Sequence, residues 1–348
     1  MTTSPKILVI GLGGIGGTVS SYLLQSGYNV TGVTTNAQVL AALNDNGFQI
    51  ESHTGKSWGV RGPVFESIPS HERFDFILLA TQPTQAEKAA TSAFPYLSEH
   101  GALVCFQNGL LEEKLASQFG DQRVVGAVVA WGASSPKPGQ YLRTSAGGFT
   151  LGRYSGPADD QVRRLSKVLE VIGEVTVTDN LAGSRWSKLA INCAVSSLGA
   201  ISGQPLGKLL KNRKARRLAL EIMTEVVLVA RNEQVQLKKI SGTIDLEWIA
   251  LEKRREQYNI QASIVLKHLV MLAVGFRFRK LRSSMLYALE KGRKPPVDFL
   301  NGEVVSRGKA AGVNVSVNEA VQSFVHSIAK KEKCSSMATL FELFAATR

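Results

Sequence analysis

The sequence changes character near residue 180. Before that point, short apolar runs of strand length alternate with segments of helical periodicity, whereas beyond it only helical periodicity is present. The strand-like runs occupy 6–10, 29–33, 74–80, 102–106, 124–131 and 175–177, and helix-like segments lie at 18–25, 85–97 and 159–172. Helical segments of the second half are 181–201, 214–232, 246–274, 297–311, 319–330 and 337–346. This pattern predicts a doubly wound, mainly parallel α/β domain at 1–180 followed by an all-α domain at 181–348.

A glycine-rich turn joins the first strand-like run to the first helix-like segment. In such a turn the first glycine permits a tight bend, the second lets the backbone approach a pyrophosphate, and the third allows the helix to pack closely on the strand. The amides at the start of the helix then face the phosphates. Dinucleotide binding is therefore predicted, with a purely structural turn as the alternative. The residues concerned are Gly11, Leu12, Gly13, Gly14, Ile15 and Gly16.

The residues after the second strand influence which nicotinamide cofactor such a turn prefers. An acidic residue there suits the ribose hydroxyls of NAD, and a basic residue suits the additional phosphate of NADP. This chain has Thr34, Thr35 and Asn36, which are neither. Without a carboxylate at this position, nothing in the segment repels the phosphate, and Thr35 and Asn36 can donate hydrogen bonds to it. The expected cofactor is NADPH.

Polar residues recur every fourth position in the first helical segment of the second half. Lys188, Asn192 and Ser196 therefore share one face of a helix, whereas most of their neighbours are apolar. A lysine in such a helix either extends its ammonium group to solvent or is held in place for chemistry. The helix alone leaves both alternatives open.

Several short motifs together resemble the ketopantoate reductase family over nearly the whole chain. The segments are the glycine turn, Gln107-Asn108-Gly109, Trp186-x-Lys188-Leu189-x-x-Asn192, Ser283-Ser284-Met285, Asp298-Phe299-Leu300-Asn301-Gly302, Gly312 and Asn318. The resemblance implies an N-terminal Rossmann domain and a C-terminal helical domain. It also implies NADPH-dependent reduction of a 2-oxo acid, 2-dehydropantoate, to its 2-hydroxy acid in pantothenate biosynthesis.

The same resemblance assigns roles to individual residues. Lys188 is expected to be the general acid, because an ammonium group beside a carbonyl oxygen stabilises the developing negative charge and donates a proton. Asn108 is expected to place nicotinamide and substrate, although an amide that caps a strand-to-helix turn is the alternative. The expected contacts with the polar groups of the substrate come from Asn108, Asn192, Ser196 and Ser284, and Gln82 is expected beside the cofactor.

The chain departs from the family pattern at four positions. Pro296 replaces a glutamate, Gln82 a lysine, Ser196 an asparagine and Ser316 a proline. Proline cannot accept a proton, and glutamine removes a positive charge near cofactor and substrate. Two alternatives therefore stay open, a reductase of another 2-oxo acid or ketone and a non-catalytic NADP(H)-binding protein.

The net charge of +13 resides in the second half. Residues 1–180 have 13 Lys and Arg against 15 Asp and Glu, so the excess follows residue 180. It can attract a small anionic oxo-acid substrate, a phosphate-bearing cofactor or nucleic acid, or it can simply keep helix faces in solvent. Because zinc-finger spacing and aromatic-interleaved RNA motifs are missing, nucleic-acid binding is not expected.

The remaining features of the sequence concern its surroundings and its partners. Three cysteines without metal or disulfide spacing, and a start without a long apolar run, predict a soluble cytoplasmic protein without a metal. The apolar stretch 262–276 is interrupted by Lys267 and His268, so no membrane association is expected. This stretch can line an apolar pocket or the interface of a homodimer formed through the helical domain; the alternative is an ordinary buried helix.

Overall fold

The computed structural model of the protein describes residues 4–239, 245–251 and 257–348. The chain divides into two compact units, one ending at Leu181 and the other beginning at Ala182.

The first unit contains twelve strands within the described residues. They are β1 Lys6–Ile10, β2 Asn29–Val33, β3 Phe48–Glu51, β4 Ser57–Val60, β5 Val64–Phe65, β6 Phe74–Leu79, β7 Leu97–Cys105, β8 Val124–Val129, β9 Ala133–Ser134, β10 Gln140–Arg143, β11 Phe149–Gly152 and β12 Val175–Val177. The main sheet has the order β12-β11-β8-β7-β6-β1-β2-β5. From β8 to β5 every neighbouring pair is parallel. The doubly wound fold predicted from the sequence is confirmed.

Five α-helices connect these strands. They are α1 Gly14–Gln25, α2 Ala37–Asn46, α3 Pro83–Ala93, α4 Leu111–Phe119 and α5 Asp160–Leu169. The strands β1, β6 and β8 are almost continuously buried, since helices cover both faces of a parallel sheet. In this strand order the chain reverses direction across the sheet between β1 and β6. Ligands of such folds bind at that point, beyond the carboxyl ends of the strands.

A second sheet in this unit has the order β4-β3-β10-β9. The sequence predicts further strands and hairpins between residues 124 and 152, where β9 and β10 lie. It does not predict β3 and β4. The strands of this sheet have two to four residues each, and most of their positions are half-buried or exposed, so their apolar signal is weak. The sheet packs against α1, and it therefore contributes to the surroundings of the glycine turn.

The described part of the second unit is helical throughout. Its helices are α6 Leu181–Ser202, α7 Leu206–Lys211, α8 Arg213–Asn232, α9 Leu246–Ile249, α10 Gln257–Arg277, α11 Ser284–Glu290, α12 Asn301–Ala310, α13 Ser316–Ala329 and α14 Met337–Ala346. The predicted segment 246–274 corresponds to α9 and α10, and its residues 252–256 lie outside the described part. The predicted segment 297–311 begins as a 3₁₀ turn, Pro296–Phe299, and continues as α12. The prediction of an all-α domain is confirmed for the described residues.

Helix α10 exposes an apolar face. Val265, Leu269 and Phe276 are 58%, 56% and 76% exposed, whereas Met271 on the other side of the helix is buried. An ordinary buried helix, one of the two alternatives from the sequence, is therefore wrong for this face. Among the described residues, no helix combines the length and apolarity needed to cross a membrane.

Candidate cofactor and catalytic sites

The glycine turn lies at the carboxyl edge of the main sheet. Gly11 has a φ of +94°, and a Cβ atom there would lie 2.8 Å from the backbone nitrogen of Thr81. The N–H of Gly11 donates to the carbonyl oxygen of Val33 at 2.9 Å. The turn thus passes between the ends of β2 and β6, where only a residue without a side chain fits.

The start of α1 combines close packing with open space. A Cβ on Gly16 would lie 1.9 Å from the carbonyl oxygen of Gly11, so the helix can approach the turn only with glycine there. A Cβ on Gly13, by contrast, would meet nothing within 4 Å. Leu12 is buried, and Gly14 and Ile15 are half-buried. Open space in front of the first amides of a helix fits a dinucleotide pyrophosphate.

Tyr141 supports the turn from the second sheet. Its hydroxyl donates to the carbonyl oxygen of Leu12 at 3.1 Å, and its ring stacks on Phe48 at 6.0 Å between centroids. Burial raises the pKa of Tyr141, which keeps the hydroxyl protonated and able to donate. The sequence interpretation missed this residue, because nothing in the pattern around β10 indicates its distant partner.

A cavity of about 240 Å³ lies beyond the ends of β2 and β5. Thr34 is buried, and Thr35 and Asn36 are exposed. The Oδ1 atom of Asn36 accepts hydrogen bonds from the backbone nitrogens of Gln38 and Val39, so Asn36 caps α2. The residues lining the cavity are Thr34, Thr35, Ala37, Leu40, Ala41, Asn44 and Glu66.

The other predicted cofactor residues lie in the loops after β6 and β7. Gln82 and Asn108 are both exposed, and Gly109 has a φ of +101°. The Nε2 atom of Gln107 donates to the carbonyl oxygen of Thr81 at 3.3 Å, which links the two loops. The N-terminus of α4 has no side-chain cap, so the capping alternative for Asn108 gains no support. The structure thus brings the glycine turn, the end of β2 and these loops to one edge of the sheet.

In the second unit, α6 is buried except along one stripe. Leu189, Ala190, Cys193 and Ala194 are at most 1% exposed. The half-buried residues recur three or four positions apart, which places them on one face. They are Lys188, Ile191, Asn192, Val195 and Ser196. Three of the predicted site residues therefore share the accessible face of an otherwise enclosed helix.

The loop before α11 is attached to this stripe. The hydroxyl of Ser283 donates to the carbonyl oxygen of Ser196 at 2.6 Å and accepts from the backbone nitrogen of Leu286 at 3.0 Å. It therefore caps α11 while it holds that helix to α6. Ser284, the first residue of α11, is exposed beside this attachment.

A buried amide holds α6 from behind. The Nδ2 atom of Asn301 donates to the carbonyl oxygen of Cys193 at 3.3 Å and to Oδ1 of Asn318 at 2.9 Å. The hydroxyl of Ser197 donates to Oδ1 of Asn301 at 2.5 Å. Burial raises the pKa of the Cys193 thiol, so this cysteine remains protonated. Asn301 fixes the position of the middle of α6.

A buried carboxylate completes the network. Glu225 of α8 accepts hydrogen bonds from the backbone nitrogens of Val317 and Asn318, at 2.9 and 2.8 Å, and from the side chain of Asn318 at 2.7 Å. Burial raises the pKa of Glu225 despite these donors. The hydrogen bonds of the motif residues Asn301 and Asn318 thus hold helices of this unit together. Sequence reasoning missed their partners Ser197 and Glu225.

The carboxylates near Pro296 are engaged by other side chains. Asp298 lies 2.8 Å from Nε2 of His326 and accepts from Gln322 at 2.9 Å. Partial burial alone would raise the pKa of Asp298, but the donor on Gln322 and the nearby positive charges lower it. Glu303 pairs with Arg307 at 2.7 Å. No group of three or more candidate metal ligands occurs in the described residues.

Comparisons with known proteins agree on one family. The model "Ketopantoate reductase PanE/ApbA" matches residues 7–156, and the model for the C-terminal part of the same family matches residues 180–329. A 2-dehydropantoate 2-reductase of Pyrococcus horikoshii is 25% identical over 314 residues, which cover 90% of this chain and 94% of the relative. An uncharacterized oxidoreductase of Bacillus subtilis, YkpB, is 24% identical over 319 residues, 91% of this chain and 96% of that protein.

Solved structures share the fold. A PanE/ApbA family ketopantoate reductase from Ralstonia eutropha superposes with a TM-score of 0.78 at 23% identity, covering 94% of this chain and 99% of that one. A D-mandelate dehydrogenase with NADH and anilino(oxo)acetate superposes with a TM-score of 0.80 at 20% identity, covering 94% and 98%. The resemblance inferred from the motifs is therefore confirmed: the chain belongs to the ketopantoate reductase family of pyridine-nucleotide-dependent oxidoreductases, which act on a carbonyl and its alcohol.

Proposed function

We propose that the protein reduces a 2-oxo acid to the 2-hydroxy acid with NADPH, the substrate being 2-dehydropantoate and the product pantoate, for pantothenate biosynthesis. The observation that carries this proposal is the accessible stripe of α6, where Lys188, Asn192 and Ser196 share a face. Family membership supports it, as do curated relatives named 2-dehydropantoate 2-reductase.

The residues at the edge of the main sheet would hold the cofactor. When bound, reduced nicotinamide supplies a hydride to the carbonyl carbon. The amides of the glycine turn, Gly11 to Gly16, would bind the pyrophosphate, and the hydroxyl of Thr35 would donate to the additional phosphate of NADPH. Gln82 and Asn108, in the loops after β6 and β7, would face the remainder of the cofactor.

Lys188 would provide the proton. Negative charge develops on the carbonyl oxygen during reduction, and an ammonium group beside that oxygen stabilises the charge and then protonates it. Lys188 is half-buried, as is Ile191 on the same stripe of α6. Such surroundings contain less water and therefore strengthen the electrostatic effect.

Neutral polar groups would orient the substrate. Asn192 and Ser196 follow Lys188 along the stripe, and Ser284 is exposed where α11 is attached to α6. Their amide and hydroxyl groups suit the carboxylate and carbonyl of an oxo acid, and Asn108 would contact both cofactor and substrate. The basic charge of residues 181–348 favours such an anionic substrate.

The identity of the substrate has an alternative. Pro296, Gln82 and Ser196 replace family residues, and one structural neighbour is named for mandelate. Another 2-oxo acid or ketone is therefore the second candidate. A non-catalytic NADP(H)-binding protein is the third, supported by the loss of the glutamate at Pro296.

Turnover by the purified protein tests the proposal. NADPH oxidation would be followed with 2-dehydropantoate and with a panel of 2-oxo acids. We expect Lys188→Ala to lower kcat by about 10²–10⁴-fold. Lys208→Ala, which removes an exposed lysine of the same unit, is the matched control and should retain activity.

The possible outcomes distinguish the candidates. If the protein reduces another oxo acid and not 2-dehydropantoate, the proposed substrate is wrong and the proposed reaction stands. Nucleotide binding without turnover of any carbonyl compound would favour the non-catalytic protein. Equal activity of Lys188→Ala and Lys208→Ala would exclude Lys188 as the acid.

A further inference from the structure

We infer that Glu66 determines cofactor selectivity. Its carboxylate accepts a hydrogen bond from the 2′-hydroxyl of the adenosine ribose of NADH and repels the 2′-phosphate of NADPH. The difference in affinity between NADPH and NADH is then small, and NADH competes for the same site. The inference rests on the proposed dinucleotide site. It adds an acidic residue to the ribose site, whereas the segment directly after the second strand contains none.

Strand pairing places Glu66 next to the end of β2. In the parallel pair of β2 and β5, Val33 is opposite Phe65, and the N–H of Thr34 donates to the carbonyl oxygen of Phe65 at 3.1 Å. Glu66 is therefore the register neighbour of Thr34. On the other side of β2, Gly11 donates to Val33. Because neighbouring strands lie about 4.8 Å apart, Gly11, Thr34 and Glu66 follow one another along a short length of the sheet edge.

The cavity at this edge has an unusual charge for a phosphate site. Its lining combines the hydroxyl-bearing Thr34 and Thr35, the amide of Asn44 and the carboxylate of Glu66. Of the described residues that line the cavity, Glu66 alone is charged. A cavity built to hold a phosphate normally presents a lysine or an arginine.

The order of groups in a dinucleotide explains why this carboxylate matters. With a pyrophosphate at the glycine turn, the adenosine ribose of such folds lies at the end of the second strand, where an acidic residue accepts the 2′-hydroxyl. A 2′-phosphate brings nearly two negative charges to the same place. At the separations that a cavity of this size allows, solvent-screened repulsion corresponds to about tenfold in affinity.

Direct binding measurements test the inference without substrate. The dissociation constants of NADPH and NADH would be obtained from nicotinamide fluorescence with the intact protein, Glu66→Gln and Glu51→Gln. Glu51→Gln removes the same charge from an exposed position of β3 outside the cavity lining. We expect Glu66→Gln to lower the dissociation constant of NADPH about tenfold. The constant of NADH should stay within about twofold, because the amide oxygen of glutamine can still accept from the 2′-hydroxyl, and both constants should be unchanged in Glu51→Gln.

Each outcome decides the inference. A ratio of the two constants that is equal in the unmodified protein and Glu66→Gln would overturn it, as would an equal change in Glu51→Gln. If the unmodified protein binds neither nucleotide, the dinucleotide site and the role of Glu66 fail together. If the ratio changes as expected but no carbonyl compound is reduced, the role of Glu66 stands and only the proposed reaction fails.

Discussion

Helices α6 and α10 have nearly the same length, 22 and 21 residues, and differ in what they leave accessible. The accessible face of α6 carries Lys188, Asn192 and Ser196, and the rest of that helix is enclosed. The accessible face of α10 carries Val265, Leu269 and Phe276. Polar groups on the one open face of a buried helix suit chemistry, whereas apolar groups on an open face suit contact with another surface.

A charge introduced into α6 should have the largest effect. Leu189 is 1% exposed, so Leu189→Asp would bury an unpaired carboxylate and cost more than about 4 kcal/mol of unfolding free energy. Urea denaturation measures the loss. Leu189→Met, which conserves volume, should cost less than about 1.5 kcal/mol; equal effects of the two variants would contradict the enclosure of α6.

Loss of the amide behind α6 should have the next largest effect. Asn301→Ala would remove the donor to the carbonyl oxygen of Cys193 and to Oδ1 of Asn318, at a cost of about 2–4 kcal/mol. We also expect a lower kcat, because the stripe with Lys188 would move. Ser306→Ala changes an exposed position of the same helix and should alter neither quantity.

The buried carboxyl group of the network should make stability depend on pH. Burial raises the pKa of Glu225, so the native state holds this proton more tightly than the unfolded state. Its contribution is fully present below the ordinary pKa of about 4.3 and is lost as pH rises through the raised value. Between these two pKa values, the urea concentration at the unfolding midpoint should fall less with rising pH in Glu225→Gln than in the unmodified protein. Glu332→Gln, at an exposed site, should retain the original slope.

The same charge placed on the open face of α10 should have the smallest effect on stability. Leu269→Asp, at a position that is 56% exposed, should change the unfolding free energy of the monomer by less than about 0.5 kcal/mol, with both proteins compared at concentrations where they are monomeric. The homodimer expected from the sequence stays a prediction, and this face is where we expect it to form. The mass in solution should therefore halve in Leu269→Asp. An unchanged mass, whether monomer or dimer, would contradict a dimer formed through this face.

The sequence predicted those elements whose signal is local. The strands β1 and β6 are apolar runs with both faces covered, and the glycine turn follows the first of them. The second sheet escaped because its strands are short and half-exposed. The open face of α10 is one of two alternatives that the sequence allows, since periodicity shows that a helix is apolar but not which neighbours cover it.

The alignment of candidate site residues was predicted where spacing along the chain equals proximity in space. Lys188, Asn192 and Ser196 are four residues apart on a helix, and periodicity is sufficient to align them. Strand pairing and a side-chain contact bring Glu66 and Tyr141 to the edge of the main sheet that carries the glycine turn, and no local pattern records either. Pairs of this kind require the topology to be known.

The hydrogen bond from Tyr141 to the glycine turn joins residues that are 129 positions apart. A ribosome would therefore complete the turn, α1 and the first two strands long before the residue that supports them emerges. The edge of the sheet that carries this turn would acquire its final shape only after β10 has joined β3 in the second sheet. Binding of the proposed cofactor would thus report on the assembly of most of the first unit, and a chain ending before residue 141 should contain the complete fingerprint yet lack the hydrogen bond that supports its turn.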